Sequence, residues 1–79
     1  MKHKIDLHGL SHTEAVHKVE HELICISMQS QYIIEVITGN SIKMQQTIID
    51  EVLVPLKFFY YIPPMNTGMI VVCDNDLFS

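Results

Sequence analysis

The sequence contains no arginine and no tryptophan, and its five lysines are outnumbered by nine carboxylates, giving a formal net charge of −4. Lysine and arginine usually supply the affinity of a protein for a phosphate backbone. This composition is therefore poorly suited to tight nucleic-acid binding. Any such binding would have to use a local patch, backbone amides or a partner.

Cysteines and long apolar runs are also scarce. Cys25 and Cys73 are the only cysteines, and they stand far apart with no Cys-x-x-Cys spacing. A disulfide framework and a thiolate metal site are therefore not indicated, and both cysteines are predicted to be small buried hydrophobic residues. No apolar run approaches the roughly 18 residues of a membrane span, and no charged-then-apolar leader is present. These absences predict a cytoplasmic protein with no membrane contact.

What the sequence does contain is enough apolar material for one core. Its 79 residues are 48% hydrophobic, with a mean hydropathy of +0.23, which argues against disorder. A chain of this length has no room for a second core. We therefore expect a single domain over residues 1–79.

The hydrophobic pattern predicts six elements in the order β-α-β-α-β-β. Strands are predicted at residues 2–7, 32–38, 58–62 and 69–73, with one helix from His12 to about residues 29–30 and another after Ser41 that stops at Pro55. The first two strands should be parallel, because a right-handed helical crossover connects them. The predicted fold is an α/β (α+β) two-layer sandwich with a four-stranded mixed sheet and two helices packed on one face.

Each predicted helix carries one apolar stripe. Ser11 and Glu14 have the spacing of a capping box at the start of the first helix. The stripe of the first helix comprises Ala15, Val16, Val19, Leu23 and Ile26. The stripe of the second helix comprises Ile42, Ile48, Ile49, Val52 and Leu53.

The end of the first strand, Ile5-Asp6-Leu7-His8-Gly9, is the main candidate for chemistry. Alternation places Asp6 and His8 on one side of the strand, and Ile5 and Leu7 on the other. His8 carries an imidazole that could transfer a proton, while Asp6 could fix its tautomer or ligate a cation. The alternative is a polar strand end followed by a turn glycine.

A second candidate is the turn Thr38-Gly39-Asn40-Ser41, between the second strand and the second helix. Amides at a helix N-terminus can hold a phosphate without arginine. The parallel crossover brings this turn to the same sheet edge as His8 and Gly9. The alternative is an ordinary capped turn.

The polar side of the first helix carries His17, His21, Ile24 and Met28. His17 and His21 have the i, i+4 spacing of a shared metal site, but Lys18 occupies the position where zinc proteases need glutamate. The pattern therefore argues against a zinc protease, and no metal ligands are predicted. The alternatives are solvated histidines or a partner-contact stripe.

The element order and both motifs resemble the Smr (small MutS-related) domain. Residues 5–9 match its Leu-Asp-x-His-Gly motif, and residues 38–41 match the start of its His/Thr-Gly-x-Gly turn. Pro63 and Pro64, followed by Gly68 before a valine-rich strand, are similar to the family's ending. Ser41 stands where the family prefers glycine, and Asn40 where a basic residue is frequent.

The resemblance implies a two-layer α/β fold and a nucleic-acid-associated role, since family members nick DNA or cleave RNA, often as part of larger proteins. Carried over by motif, Asp6 and His8 would be the catalytic residues. Thr38 and Gly39 match the phosphate-binding turn, which Asn40 and Ser41 complete.

Two functions remain open at this point. The first is an endonuclease in which His8 is the acid or base, Asp6 orients it or binds a cation, and residues 38–41 hold the phosphate. The second is a non-catalytic module that binds nucleic acid weakly or binds another protein. The expected partners are DNA or RNA, bound in a salt-sensitive way, and a second copy of the chain or a larger protein. No cofactor is predicted, although a divalent metal is compatible with the first function.

Overall fold

The computed structural model describes residues 2–29 and 31–74. The strands are β1 (Lys2–Asp6), β2 (Ile33–Ile37), β3 (Phe59–Tyr61) and β4 (Met69–Cys73), and the helices are α1 (His12–Ile26) and α2 (Ile42–Ile48). Helix α2 continues directly into a π-helical turn, Ile49–Leu53. The predicted element order is confirmed.

The four strands form one mixed sheet in the order β1-β2-β4-β3. Strands β1 and β2 are parallel, as predicted, with Asp6 opposite Ile37. Strand β4 runs antiparallel to both β2 and β3, so the last of the described strands is inserted between them. The predicted α/β fold with a four-stranded mixed sheet and two helices is therefore confirmed.

Helix α1 begins where its capping box predicts. The Ser11 hydroxyl accepts the Glu14 N–H at 3.1 Å, and the Glu14 carboxylate accepts the Ser11 N–H at 2.9 Å. The helix ends at Ile26, earlier than expected. Ser27 closes it, because its hydroxyl donates to the Ile24 carbonyl at 3.0 Å. Of the two residues predicted to end it, Gln29 lies beyond the observed end and Ser30 lies outside the described residues.

The core lies between the helices and one face of the sheet. Strand β2 alternates between buried and half-buried residues, and β4 presents its own buried residues beside them. The sheet and helix residues in this core include Ile34, Val36, Ile70, Val72, Ala15, Val19, Leu23, Ile48, Val52 and Leu53. The predicted core stripe of α1 is confirmed, with Val16 and Ile26 at its partly buried margin.

Two predictions about burial are wrong. Ile42, the first residue of α2, is 81% exposed. Met44, one turn before Ile48, is buried in its place. Cys73 is buried as expected, but Cys25 is exposed on the outer side of α1. No helix in the described ranges is both long and apolar enough to cross a membrane.

Candidate functional site

The candidate site lies at the sheet edge where β1 and β2 end. The Leu7 N–H donates to the Ile37 carbonyl at 3.1 Å, which extends the parallel ladder one residue beyond β1. The segment after β1 (residues 7–10, the first turn) therefore begins beside the segment after β2 (residues 38–41, the second turn). This is the shared edge that the crossover predicts.

The first turn is closed by hydrogen bonds among residues 6–10. Asp6 Oδ1 accepts the backbone N–H of His8 at 2.9 Å, and the Leu10 N–H donates to the Leu7 carbonyl at 3.2 Å. Gly9 has φ +80°, a left-handed conformation that costs glycine little and other residues more. The Asp6 carboxylate therefore fixes the backbone from which the His8 side chain projects.

His8 is exposed, whereas Leu7 is buried in the core. This agrees with the predicted alternation of the strand. Within residues 2–29 and 31–74 the His8 ring makes no hydrogen bond, so the expected Asp6 contact is made to its backbone and not to its imidazole. His8 is left accessible to a ligand.

Glu14 is the third residue of α1. It forms the capping box with Ser11, directly after the first turn. The Ser11 N–H, and next the Ser11 hydroxyl, hold the pKa of the Glu14 carboxyl below its ordinary value of 4.5. The negative form is thus the one that the cap stabilises.

The second turn is held by a residue far away in sequence. The Gly68 carbonyl accepts the N–H of Thr38 and the N–H of Gly39, both at 2.9 Å, and the Thr38 hydroxyl at 3.1 Å. Thr38 is buried, and Gly39 has φ +66°. The donors of Thr38 and Gly39 are therefore committed to the scaffold, so these two residues shape the turn.

Gln45 is a site residue that the sequence did not reveal. Its side-chain amide donates to the Thr67 carbonyl at 3.0 Å and to the Thr38 hydroxyl at 3.4 Å. It joins α2 to the β3–β4 loop across the second turn. No local signal marks it, because a glutamine inside a helix has many roles and its partners are distant in sequence.

Asn40 and Ser41 complete the second turn. The Ser41 hydroxyl accepts the Met44 N–H at 3.0 Å, which caps α2. For the backbone N–H groups of Asn40 and Ser41 we find no hydrogen-bond partner in the described part of the chain. Of the four residues predicted to bind phosphate, these two keep backbone donors for a ligand.

A cleft of about 490 Å³ opens at the second turn. It is lined by Gly39, Asn40, Ser41, Ile42, Gln45, Ile62 and Thr67. Asp6 and His8 are not among its lining residues, although their turn adjoins the same sheet edge. The second turn and the β3–β4 loop therefore line one cleft, and the residues of the first turn do not line it.

Among the described residues, no group of three or more His, Cys, Asp or Glu is arranged to hold a metal ion. No protein-family model matches the sequence, and neither a curated protein nor a solved structure matches it. The geometry of the site is thus the basis for a functional assignment.

Proposed function

We propose that this chain is a nucleic-acid-associated domain of the Smr type that binds a phosphodiester group at the edge formed by the first and second turns. The observation that carries this proposal is the parallel pairing of β1 and β2, with Asp6 opposite Ile37. It brings the turn that carries the exposed His8 beside a turn whose last two amides have no hydrogen-bond partner among the described residues. An acid–base group and anion donors are then available on one surface.

In this proposal the phosphate is bound by the backbone N–H groups of Asn40 and Ser41. They lie at the N-terminal end of α2, where the helix dipole favours a negative charge. Lys43, in the first turn of α2, is exposed. It adds a positive charge to a chain that is otherwise acidic, so binding is expected to be weak and sensitive to salt.

His8 is the proposed acid or base in cleavage of DNA or RNA. It would take a proton from the attacking hydroxyl or give one to the leaving oxygen. Asp6 is a positioning residue, because its carboxylate holds the His8 backbone at 2.9 Å. We therefore expect Asp6→Asn, which keeps the acceptor oxygen, to retain more activity than Asp6→Ala.

The test is cleavage of supercoiled plasmid and of structured RNA, across pH and with and without divalent metal. Replacement of His8 by alanine should lower the rate by about 10²–10⁴-fold, which is the usual contribution of a positioned acid or base. His17→Ala is the matched control, since His17 is also exposed but lies on α1. Equal cleavage by wild type and His8→Ala, or no cleavage of either substrate, would refute the catalytic proposal.

A protein-binding module is the second candidate, and the outer surface of the α1 region favours it. Ile24 is 49% exposed and Met28 is 85% exposed. Apolar groups exposed on one side of a small domain are a common mark of contact surfaces. If the chain associates with itself, sedimentation at tens of micromolar should show mostly dimer for a micromolar dissociation constant, and monomer for Ile24→Ser. A wild-type monomer under these conditions would contradict self-association.

A further inference from the structure

The outer face of α1 carries a row of potential metal ligands away from the candidate site. His17, His21 and Cys25 follow one another at intervals of four residues, and all three are exposed. Side chains at i and i+4 lie next to each other on a helix. The Cys25 Sγ lies 3.9 Å from the His21 Nε2. Two donor atoms that zinc favours are therefore already adjacent.

This separation is close to the one that a shared zinc ion requires. With Zn–S near 2.3 Å and Zn–N near 2.1 Å, tetrahedral geometry separates the two donor atoms by about 3.6 Å. The observed 3.9 Å differs from that by only a few tenths of an ångström. Small side-chain rotations on an exposed helix face can supply this adjustment, so the backbone does not have to move.

We propose that His21 and Cys25 form a bidentate binding site for Zn²⁺. On binding, the Cys25 S–H bond breaks, a sulfur–zinc bond forms and the proton passes to solvent, while neutral His21 donates its Nε2 lone pair. A thiolate paired with an imidazole selects zinc over magnesium or calcium, which prefer oxygen ligands. The remaining coordination positions face solvent and are filled by water.

The rest of the described chain limits this site to two protein ligands. No third His, Cys, Asp or Glu in residues 2–29 and 31–74 is arranged to complete it. His17 lies one helical turn before His21, so it provides a matched control on the same face. Cys73 is only 3% exposed and is not an alternative thiol for a metal at the surface.

The test is titration of the reduced wild-type chain with Zn²⁺ in competition with a chromogenic chelator. Titration with Co²⁺ should add a thiolate-to-cobalt charge-transfer absorption. Cys25→Ala should abolish this absorption. Cys25→Ala and His21→Ala should each weaken zinc binding at least about tenfold, because loss of even a supporting residue around a metal costs 10–100-fold. His17→Ala should bind zinc like wild type.

Circular dichroism of each variant checks that the fold is kept, as expected for substitutions at exposed positions. Three results would overturn the proposal: no zinc binding by wild type, unchanged zinc binding after Cys25→Ala, or equal loss in His17→Ala and His21→Ala. None of these measurements depends on nucleic-acid cleavage. The zinc site and the proposed function can therefore fail separately.

Discussion

The first and second turns look alike but are held in different ways. Each contains a glycine in the left-handed region, Gly9 or Gly39, and each leads to a serine that caps the next helix. In the first turn, apart from the ladder bond of Leu7 to Ile37, the hydrogen bonds run between residues two and three positions apart, as from His8 to Asp6. In the second turn the Thr38 hydroxyl bonds Gly68, which is 30 residues away.

The two turns lie at one edge of the sheet, but local hydrogen bonds close the first turn and tertiary hydrogen bonds hold the second. The hydrogen bonds that close the first turn run among residues 6–10, so they can form whenever β1 is paired with β2. The second turn needs β4 to pair with β2, because only this pairing brings the Gly68 carbonyl to its donors. Closing such a long loop costs more chain entropy than closing a short one. The proposed phosphate donors of Asn40 and Ser41 thus depend on a distant part of the chain.

Gly68→Val is expected to have the largest effect on stability, and it should disturb the second turn and not the first. A Cβ at Gly68 would lie 3.2 Å from the Gly39 carbonyl oxygen, and the branched side chain would add further crowding. We expect a loss of about 1–3 kcal/mol in the free energy of unfolding, as is usual for overpacking. Denaturant unfolding gives the energy, and amide NMR shifts locate the change.

The shifts should move at Gly39 and Asn40 and stay unchanged at His8 and Gly9. Gly68→Ala is the graded control and should be intermediate in stability. If Gly68→Val were as stable as wild type with unmoved Gly39 signals, the contact between Gly68 and the second turn would not be a constraint.

A smaller effect is expected from Thr38→Val, which removes the hydroxyl but keeps the shape. The Gly68 carbonyl would still accept two backbone amides, and Gln45 would still bond the Thr67 carbonyl. The loss should therefore be that of about one hydrogen bond, near 1 kcal/mol in the free energy of unfolding. Asp6→Asn, which keeps the acceptor of the first turn, is the control and should cost less. If Asp6→Asn lost more free energy of unfolding than Thr38→Val, the first turn would not be the one that depends less on its hydrogen bonds.

The smallest effect concerns the cap beside the first turn. The Ser11 N–H lowers the pKa of Glu14 from its ordinary value of 4.5. The ionised carboxylate therefore stabilises the fold at pH values above this ordinary pKa. This contribution is lost as the pH falls through the lowered pKa. Glu14→Gln keeps an acceptor but has no charge to lose. Its Tm should therefore fall less than that of wild type from neutral pH to about pH 3.

Glu20→Gln removes the same charge further along α1 and serves as the control. If wild type and Glu14→Gln lost the same Tm on acidification, the Glu14 carboxylate would not contribute through its charge.

The sequence predicted more of the first turn's structure than of the second turn's. It predicted the side of β1 that carries Asp6 and His8, the capping box of Ser11 and the shared edge of β1 and β2. It did not identify Gln45 or the acceptor role of Gly68, and it assigned Thr38 and Gly39 to phosphate binding without their internal partners. It also placed Ile42 in the core, whereas Ile42 is exposed at the start of α2 and lines the cleft.

What the sequence determined by itself is what short-range physics controls. Strand alternation, helical periodicity and serine caps act between residues at most a few positions apart, so they can be read along the chain. Tertiary structure decided that β4 lies between β2 and β3, and therefore which carbonyl meets the donors of the second turn. It also decided that the cleft includes the β3–β4 loop and not His8. These outcomes depend on which distant strands pair, and no local pattern encodes that choice.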